Sequence, residues 1–539
     1  MTKSPIGKGR RPFCAVLALT LVSLAIPPSL ADAAGLPVPP LEVAALETAC
    51  DAGFLIGQRC VKWEHLTHIE AEPQPTDPGH YVYNFDKQYE KLGALLTDEA
   101  MIEPDAELGR WYMYNGDYVR LGVSYASYVA TNRKVRPEEQ LPYREGRNAE
   151  LPYNLNAVKA PDGANIAAPN CTVCHSSTFQ GRLVEGLGRN NHFIGTDASG
   201  FTLNVLGIGV NSLLRGDTVS QLKHGGGMLV RLFRDASTHS HLFDLFAGLG
   251  MRHDPDTLEW KGRLWGNPNS GMKGWIDFPA WWHLKKKNAL YANGSGRGAK
   301  ADHLLYMSWF SVNGIEEAEE IQNNFAHVQK WLEQDIHAPR FEDFGGKIDH
   351  ELAAAGKPVF LRTCAMCHGT YSDNESEETY PNLLVDLDEV GTDPYLATNN
   401  WIYPVKTWYD VSWYGNRGTS HIEKTHGYVA PPLDGIFITA PYFHNGSVPT
   451  LEAVLDSSKR PTIWTSNQSD DDYDWDAVGW KNKPRDWRFT FSLRSKFGIG
   501  LGRGRYITTR PGNSNAGHTY GDQLTEAERR AVLEYLKTL

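Results

Sequence analysis

Two copies of the pentad Cys-x-x-Cys-His constrain this chain more than any other feature: Cys171-Thr-Val-Cys174-His175 and Cys364-Ala-Met-Cys367-His368. This spacing is the attachment signature of c-type haem, because two thiols bond covalently to one porphyrin and the adjacent histidine ligates its iron. A thioredoxin-like redox pair or half a zinc site also uses Cys-x-x-Cys, but neither explains a histidine directly after both pairs. The sequence therefore predicts two covalently bound haem c groups. The expected attachment residues are Cys171, Cys174, Cys364 and Cys367, and the expected proximal iron ligands are His175 and His368.

The first residues have the features of an export signal. A basic stretch at 8–11 precedes an apolar run from Phe13 to Ile26, and Ala31-Asp32-Ala33 is typical of a small-residue cleavage site. The apolar run is short compared with the roughly 20 residues of a comfortable membrane span. We expect residues 1–33 to be a signal peptide and the mature protein to be periplasmic or secreted, with no membrane span.

The remaining cysteines agree with an oxidising compartment. Cys14 leaves with the signal, and Cys50 and Cys60 are the two cysteines outside the pentads. Their short separation predicts a disulfide that fastens an N-terminal extension, residues 34–160. Two buried free thiols are the alternative, and a redox-active pair is disfavoured because these two cysteines lack the Cys-x-x-Cys spacing.

Charge and spacing limit the partners and the domain organisation. A net charge of −11 argues against nucleic acid or an anionic membrane surface as a partner, since both require basic patches. The 193 positions from His175 to His368 are too many for a small multihaem module. We therefore expect one haem in each of two domains, residues 161–335 and residues 336–539.

The periodicity predicts a mainly α-helical fold with long irregular loops. Apolar residues recur at helical spacing between 321 and 332, and Thr525-x-x-Glu528 forms a capping box ahead of an amphipathic C-terminal segment. Two stretches rich in Pro and Gly, 427–449 and 498–517, are typical of loops rather than strands. The expected fold is therefore two mainly α c-type cytochrome domains, each with one covalent haem, preceded by the N-terminal extension.

Residues 431–452, Pro-Pro-Leu-Asp-Gly-Ile-Phe-Ile-Thr-Ala-Pro-Tyr-Phe-His-Asn-Gly-Ser-Val-Pro-Thr-Leu-Glu, resemble the segment that follows the second haem in bacterial di-haem cytochrome c peroxidases. That superfamily includes MauG, and the resemblance covers roughly residues 160–539 with both pentads. In the peroxidases a methionine downstream of this segment ligates the electron-transfer haem. No methionine follows Met366 in this chain, so a downstream methionine is excluded as the sixth ligand here.

The sixth ligand of the second haem must then be another residue. The candidates are His421, His426, His444 and His518, with Tyr520 as a tyrosinate. The segment 512–521 is similar to the distal-histidine segment of rubber oxygenases, which are secreted di-haem members of the same superfamily, and this favours His518. The resemblance places His444 near the haems without ligating iron.

The first haem has no obvious distal partner. His192 is close in sequence and is one candidate; if it does not bind, the His175 haem is open to peroxide or oxygen and is the reactive one. The superfamily places a tryptophan between its haems, and Phe278-Pro-Ala-Trp281-Trp282-His283 matches it best. We favour Trp282 over Trp281 as this bridge, with an ordinary core aromatic pair as the alternative.

Two classes of function follow from the resemblance. The first is a peroxidase, in which a small cytochrome c or cupredoxin supplies electrons for the reduction of hydrogen peroxide. The second is an oxygen-dependent oxygenase or oxidase resembling rubber oxygenase or MauG. A pure electron carrier is disfavoured, because the chain is several times larger than a carrier needs. The resemblance also allows a calcium ion between the domains, for which the sequence shows no ligand cluster.

Overall fold

A computed structural model describes residues 53–56, 59–72, 74, 103–131, 135–160, 163–189, 250–261, 276–398, 402–466, 470–482 and 505–539. The predicted signal peptide 1–33, Cys50 and His192 lie outside these residues. Residues 39–539 form one compact unit. The division of this unit into two haem domains therefore stays a prediction.

The longest helix of the described residues, Ile315–Gln334, confirms the periodicity seen in the sequence, because it buries Ile321, Phe325, Val328 and Leu332. It packs against helix Ala106–Asn115 at very short range. A Cβ atom added to Gly109 would lie 2.0 Å from the carbonyl oxygen of His327, so only glycine permits this approach. Tyr118, which follows the shorter helix, packs on Phe325 and accepts a hydrogen bond from the backbone N–H of Cys171. This helix pair therefore supports the first pentad.

A second helix pair supports the second pentad in the same way. Helix His350–Thr363 ends immediately before Cys364 and packs against helix Glu526–Leu536. A Cβ atom on Gly356 would lie 2.0 Å from the carbonyl oxygen of Ala531. The capping box predicted at Thr525 and Glu528 is present and starts the C-terminal helix.

The full set of helices in the described residues includes these four, and the others are shorter or of similar length to Ala106–Asn115. The α-helices are Ala106–Asn115, Tyr125–Thr131, Thr172–His175, Lys300–Leu304, Ile315–Gln334, His350–Thr363, Ala365–His368, Leu387–Val390, Tyr395–Thr398, Ile402–Val411, Trp413–Asn416, Leu451–Leu455 and Glu526–Leu536. The 3₁₀ helices are Trp63–His65, Pro137–Glu139, Gly146–Glu150, Trp281–Lys286, Leu305–Phe310, Phe341–Phe344, Glu375–Glu377, Ile436–Thr439, Ser457–Lys459, Asp470–Asp472 and Tyr520–Gln523.

Short antiparallel strands join segments that are far apart in the sequence. Strand Leu383–Asp386 pairs with Gly427–Val429 on one side and with Leu66–His68 of the N-terminal extension on the other. The two stretches predicted as loops each contain a three-residue strand, Gly427–Val429 and Arg505–Ile507, which corrects that expectation. Both strands form because they pair with distant segments, and three residues are too few to show the alternation of a strand in the sequence.

The remaining strands form two- and three-stranded ribbons. One ribbon, Gly53–Ile56 with Arg59–Lys62, is called the N-terminal hairpin below. A three-stranded sheet lies close before the first pentad, with Asn165–Pro169 between Leu155–Lys159 and Val123–Ser124. The other pairs are Ser176–Phe179 with Arg182–Glu185, Gly296–Gly298 with Ser420–Ile422, Ile463–Thr465 with Arg505–Ile507, and Tyr473–Asp474 with Gly479–Trp480.

Candidate haem sites

The first pentad forms a single helical turn, Thr172–His175, with both thiols buried. Burial raises the pKa of Cys171 and of Cys174 to about 12 and lowers the pKa of His175 to about 4, so all three groups are neutral near pH 7. His175 Nδ1 lies 3.2 Å from the carbonyl oxygen of Pro279. A carbonyl only accepts, so Nδ1 carries the proton and the Nε2 lone pair is left for a metal ion.

The second pentad repeats this arrangement in the turn Ala365–His368. His368 Nδ1 donates to the carbonyl oxygen of Pro431 at 2.8 Å, and burial lowers the pKa of its imidazole. Burial also raises the pKa of Cys364 and of Cys367 to about 12. A backbone carbonyl that fixes the tautomer and the orientation of an imidazole is the usual support of a metal-ligating histidine. Both pentads therefore fit covalent haem c.

His518 lies opposite His368, with 6.1 Å between the ring centroids and 64° between the ring planes. Two imidazoles on opposite sides of one metal ion, each bonded through nitrogen at about 2 Å, have centroids roughly 6 Å apart. Burial, reinforced by the neighbouring His368, lowers the pKa of His518 to about 3, so the imidazole is neutral. Its Nδ1 is buried without a hydrogen-bond partner among the described residues. The spacing and the protonation state fit a shared haem iron.

The other candidates for the sixth ligand lie elsewhere or are engaged. His421 and His426 are more than half exposed, and their Nδ1 atoms face Glu72 and Asp386 at 3.6 and 3.0 Å. The hydroxyl of Tyr520 donates to Glu389, and burial raises the pKa of this phenol, which opposes a tyrosinate. Of these candidates, His518 has the geometry that a second axial ligand requires.

His444 has a different environment. Its ring stacks on Tyr428 with 3.9 Å between centroids and 14° between planes, and burial lowers its pKa to about 3. Its carbonyl oxygen accepts a hydrogen bond from the backbone N–H of Asp277 at 2.8 Å. Asp277 directly precedes Phe278, whose ring meets His175 edge-on at 5.8 Å. His444 is thus tied to the segment beside the first pentad, whereas Phe443 contacts His518 of the second site at 5.7 Å.

The tryptophan pair has two separate surroundings. Trp281 stacks on His175 with 4.8 Å between the ring centroids and 15° between the ring planes. The sequence carries no signal for this contact. Trp282 is fully buried, and its Nε1 donates to the carbonyl oxygen of Asp434 at 2.8 Å. The adjacent His283 directs Nε2 to the same oxygen at 2.9 Å.

Trp282 completes a hydrogen-bonded route between the histidines of the two pentads. His175 donates a hydrogen bond to the carbonyl oxygen of Pro279, the first residue of segment 279–282, and Trp282 is the last residue of that segment. Trp282 donates a hydrogen bond to the carbonyl oxygen of Asp434, the last residue of segment 431–434. The carbonyl oxygen of Pro431, the first residue of that segment, accepts a hydrogen bond from His368. The route thus has three hydrogen bonds and two four-residue segments. The sequence shows a proline at 279 and at 431, but it carries no signal that their carbonyl oxygens are the acceptors.

Two further properties concern the part of the chain that the structure describes. There, no helix combines the length and the apolar character needed to cross a membrane. In the same residues no group of three or more His, Cys, Asp or Glu side chains is placed to hold a metal ion. The calcium ion therefore stays a prediction.

Comparison with known proteins gives partial matches. The chain is 29% identical over 305 residues to a protein of Sinorhizobium fredii (strain NBRC 101917 / NGR234) named "Uncharacterized protein y4iJ", covering 44% of this chain and 48% of that one. It is 27% identical over 139 residues to "Uncharacterized protein y4iM" of the same strain, covering 21% of this chain and 30% of the relative. The chain thus spans less than half the length of these curated relatives.

A family model matches the segment that carries several of the contacts above. The matched residues include His444, the Pro431 carbonyl that supports His368 and the Asp434 carbonyl that binds Trp282. A cytochrome c-like segment implies covalent haem c and a haem-dependent oxidoreductase. Residues 427–465 match the family described as RoxA-like, cytochrome c-like, and this part of the chain is therefore cytochrome c-like.

Proposed function

We propose that this protein is an exported di-haem c-type cytochrome oxidoreductase that couples electron transfer between its haems to the reduction of hydrogen peroxide. One haem is bound at the first pentad with His175 as its proximal ligand. Cys364 and Cys367 of the second pentad would hold the other haem, and His368 and His518 would supply nitrogen ligands to its iron. The proposed electron donor is a small redox protein, either a cytochrome c or a cupredoxin.

The observation that carries this proposal is the route through Trp282 that connects the two proximal histidines. Reduction of one peroxide to two waters consumes two electrons and two protons, and small redox proteins deliver one electron at a time. An enzyme of this kind needs a second redox centre that stores an electron and a path to the first. The pairing of His368 with His518 and the Trp282 route support both requirements.

The two sites differ in ways that support different roles. Haem c held at His175 would supply the redox chemistry toward peroxide. Among the described residues, the aromatic rings that contact His175 are Phe278 and Trp281, and neither can ligate iron. At the second site His518 would fill the remaining axial position and exclude small molecules. Bis-histidine ligation lowers the reduction potential relative to a His/Met pair, which suits a centre that donates electrons.

A second candidate is an oxygen-dependent oxygenase or oxidase. It is favoured by the match of residues 427–465 to a RoxA-like family. In this alternative haem held at His175 would react with oxygen, and an organic substrate would be oxidised.

Stopped-flow absorbance distinguishes the two candidates. The purified protein is mixed with hydrogen peroxide while ferrocytochrome c or a reduced cupredoxin is supplied in excess. We expect fast, catalytic oxidation of the donor. Absence of donor oxidation, together with oxygen uptake that depends on an added polyisoprene emulsion, would contradict the peroxidase and establish the oxygenase.

The localisation and the haem content are tested separately. Mass spectrometry of the protein exported from its host should show a chain that starts after residue 33 and carries two haem c groups. Replacing Cys364 and Cys367 by alanine should leave one haem and abolish donor oxidation. A one-haem variant that still oxidises the donor at the original rate would show that the second site is not the entry point for electrons.

A further inference from the structure

The backbone around His518 adopts a constrained conformation. His518 itself has a φ of +46°, in the left-handed region that non-glycine residues rarely occupy, and Gly517 has a φ of +76°. A Cβ atom on Gly517 would lie 2.1 Å from the carbonyl carbon of Gly391, so the segment is pressed against the backbone there. The backbone N–H of His518 donates to the carbonyl oxygen of Val390 at 2.6 Å. Such a conformation needs support from the surrounding structure.

Arg460 supports the segment from one side. Its guanidinium donates to the carbonyl oxygens of Gly517 and His518 at 2.6 and 3.0 Å. The same group lies over the ring of Phe443 at 5.0 Å, and that ring also contacts His518. This support comes from residues inside the cytochrome c-like segment 427–465.

Arg59 supports the segment from the opposite end of the chain. It lies on the N-terminal hairpin, and its guanidinium donates to the hydroxyl of Thr519 at 3.0 Å and covers the ring of Tyr520 at 4.5 Å. The same guanidinium pairs with the carboxylate of Glu389 at 2.9 Å and donates to the Glu389 carbonyl. Glu389 is the residue before Val390, which holds the backbone of His518. The Arg59 side chain thus contacts both backbone segments that position His518.

The carboxylate of Glu389 has three polar partners at this site. Its side chain is only 6% exposed and is shared by Arg59, by the hydroxyl of Tyr520 at 3.2 Å and by Nδ1 of His65 at 3.4 Å. A buried carboxylate requires such partners. His65 and Arg59 both belong to the extension, and the residue after Arg59, Cys60, is disulfide-bonded. Arg59 therefore lies on a hairpin that a disulfide bond restrains.

We propose that Arg59 is a positioning residue for His518: the N-terminal hairpin keeps the sixth ligand on the second haem and thereby keeps that haem closed to small molecules. The inference deepens the proposed function and rests on His518 being the ligand. A guanidinium suits this task because its planar array of donors engages a carboxylate, a carbonyl and a hydroxyl at once while stacking on an aromatic ring.

Carbon monoxide binding to the reduced protein tests the proposal. Carbon monoxide binds the second haem only after His518 has dissociated, so the slow phase of binding reports how well the histidine is held. In the full-length holoprotein, Arg59→Gln combined with Glu389→Gln removes the guanidinium without leaving a buried lone carboxylate. We expect this phase to become about tenfold faster, the change produced by losing one hydrogen bond donated by a charged group. Arg59→Lys, which keeps the charge but not the planar array, should give an intermediate rate.

The matched control is Lys62→Gln. Lys62 is on the same hairpin, but its ammonium is exposed and, within the described part of the chain, pairs with the exposed Glu64. Its slow phase should equal that of the parent protein. Equal rates in the Arg59 and Lys62 variants, with unchanged thermal unfolding, would overturn the proposal. If His518→Ala leaves the slow phase and the low-spin spectrum unaltered, the ligand assignment itself fails, and that outcome is distinct from a failure of the Arg59 inference alone.

Discussion

Gly356→Ala should destabilise the protein, although alanine is the better helix former. In an unobstructed helix this change is expected to stabilise by about 1 kcal/mol. Here the new Cβ atom would lie 2.0 Å from the carbonyl oxygen and 2.4 Å from the carbonyl carbon of Ala531. Both are backbone atoms, so relief requires the helices to move apart by about 1 Å, and overpacking of this kind typically costs about 1–3 kcal/mol. The net expectation is a loss of stability, opposite in sign to the helix propensity.

Denaturant unfolding followed by far-ultraviolet circular dichroism measures this change, and the Soret spectrum reports the second haem. Ala354→Gly is the matched control, because Ala354 lies on the exposed side of the same helix. That change should cost about 1 kcal/mol through propensity alone and should leave the Soret spectrum unchanged. A Gly356→Ala protein that is more stable than its parent would refute the close approach of the two helices.

Three further predictions concern the haem sites. His518→Ala should convert the second haem from low spin to high spin in its electron paramagnetic resonance spectrum, whereas His421→Ala should leave the spectrum unchanged; identical spectra would exclude His518 as the ligand. Trp282→Phe should slow electron transfer between the haems in flash photolysis; the lost hydrogen bond costs about 1 kcal/mol of stability, because the Asp434 carbonyl keeps its second hydrogen bond, and the smaller ring adds the cost of a cavity at this fully buried position; unchanged transfer would place the route elsewhere. The depressed pKa of His444 means that the unfolded chain binds the proton more tightly, so stability is retained above pH 6.5 and is lost as the pH falls toward 3. Between pH 6.5 and about 4.5 the loss in the free energy of unfolding amounts to about 2 kcal/mol. His444→Phe should remove this part of the loss in urea titrations, and an unaltered pH profile would contradict the prediction.

The sequence predicted the features that are written in local patterns. The pentads place His175 and His368 directly, and the capping box and the 321–332 periodicity predicted two helices that the structure confirms. The position of His518 beside His368 agrees with the expectation drawn from a resemblance, and its role as an iron ligand stays a prediction. The disulfide expected of Cys60 is present, with its predicted partner outside the described residues.

Other features depend on contacts between distant segments and have no local pattern. The carbonyl oxygens of Pro279 and Pro431 are ordinary backbone atoms, and only the folded chain turns them toward the histidines. The strand Gly427–Val429 exists because Leu383–Asp386 lies beside it. Arg59 is one of many arginines in the sequence, and its significance depends on a contact with a residue 460 positions away.

That separation has a consequence for how the protein is made. In the proposed function haem would be attached at Cys364 once that part of the chain has been exported, whereas Thr519 and His518 would follow later, and the hairpin could contact them only then. Pairing over such a distance is slow, because the entropy of closing a very long loop is lost before the contact stabilises anything. In the proposed function a newly exported chain therefore passes through a stage in which Arg59 does not yet hold His518, so the histidine leaves the second haem more readily. Only when the first and last described parts of the chain have met is the second haem held closed as firmly as in the finished protein.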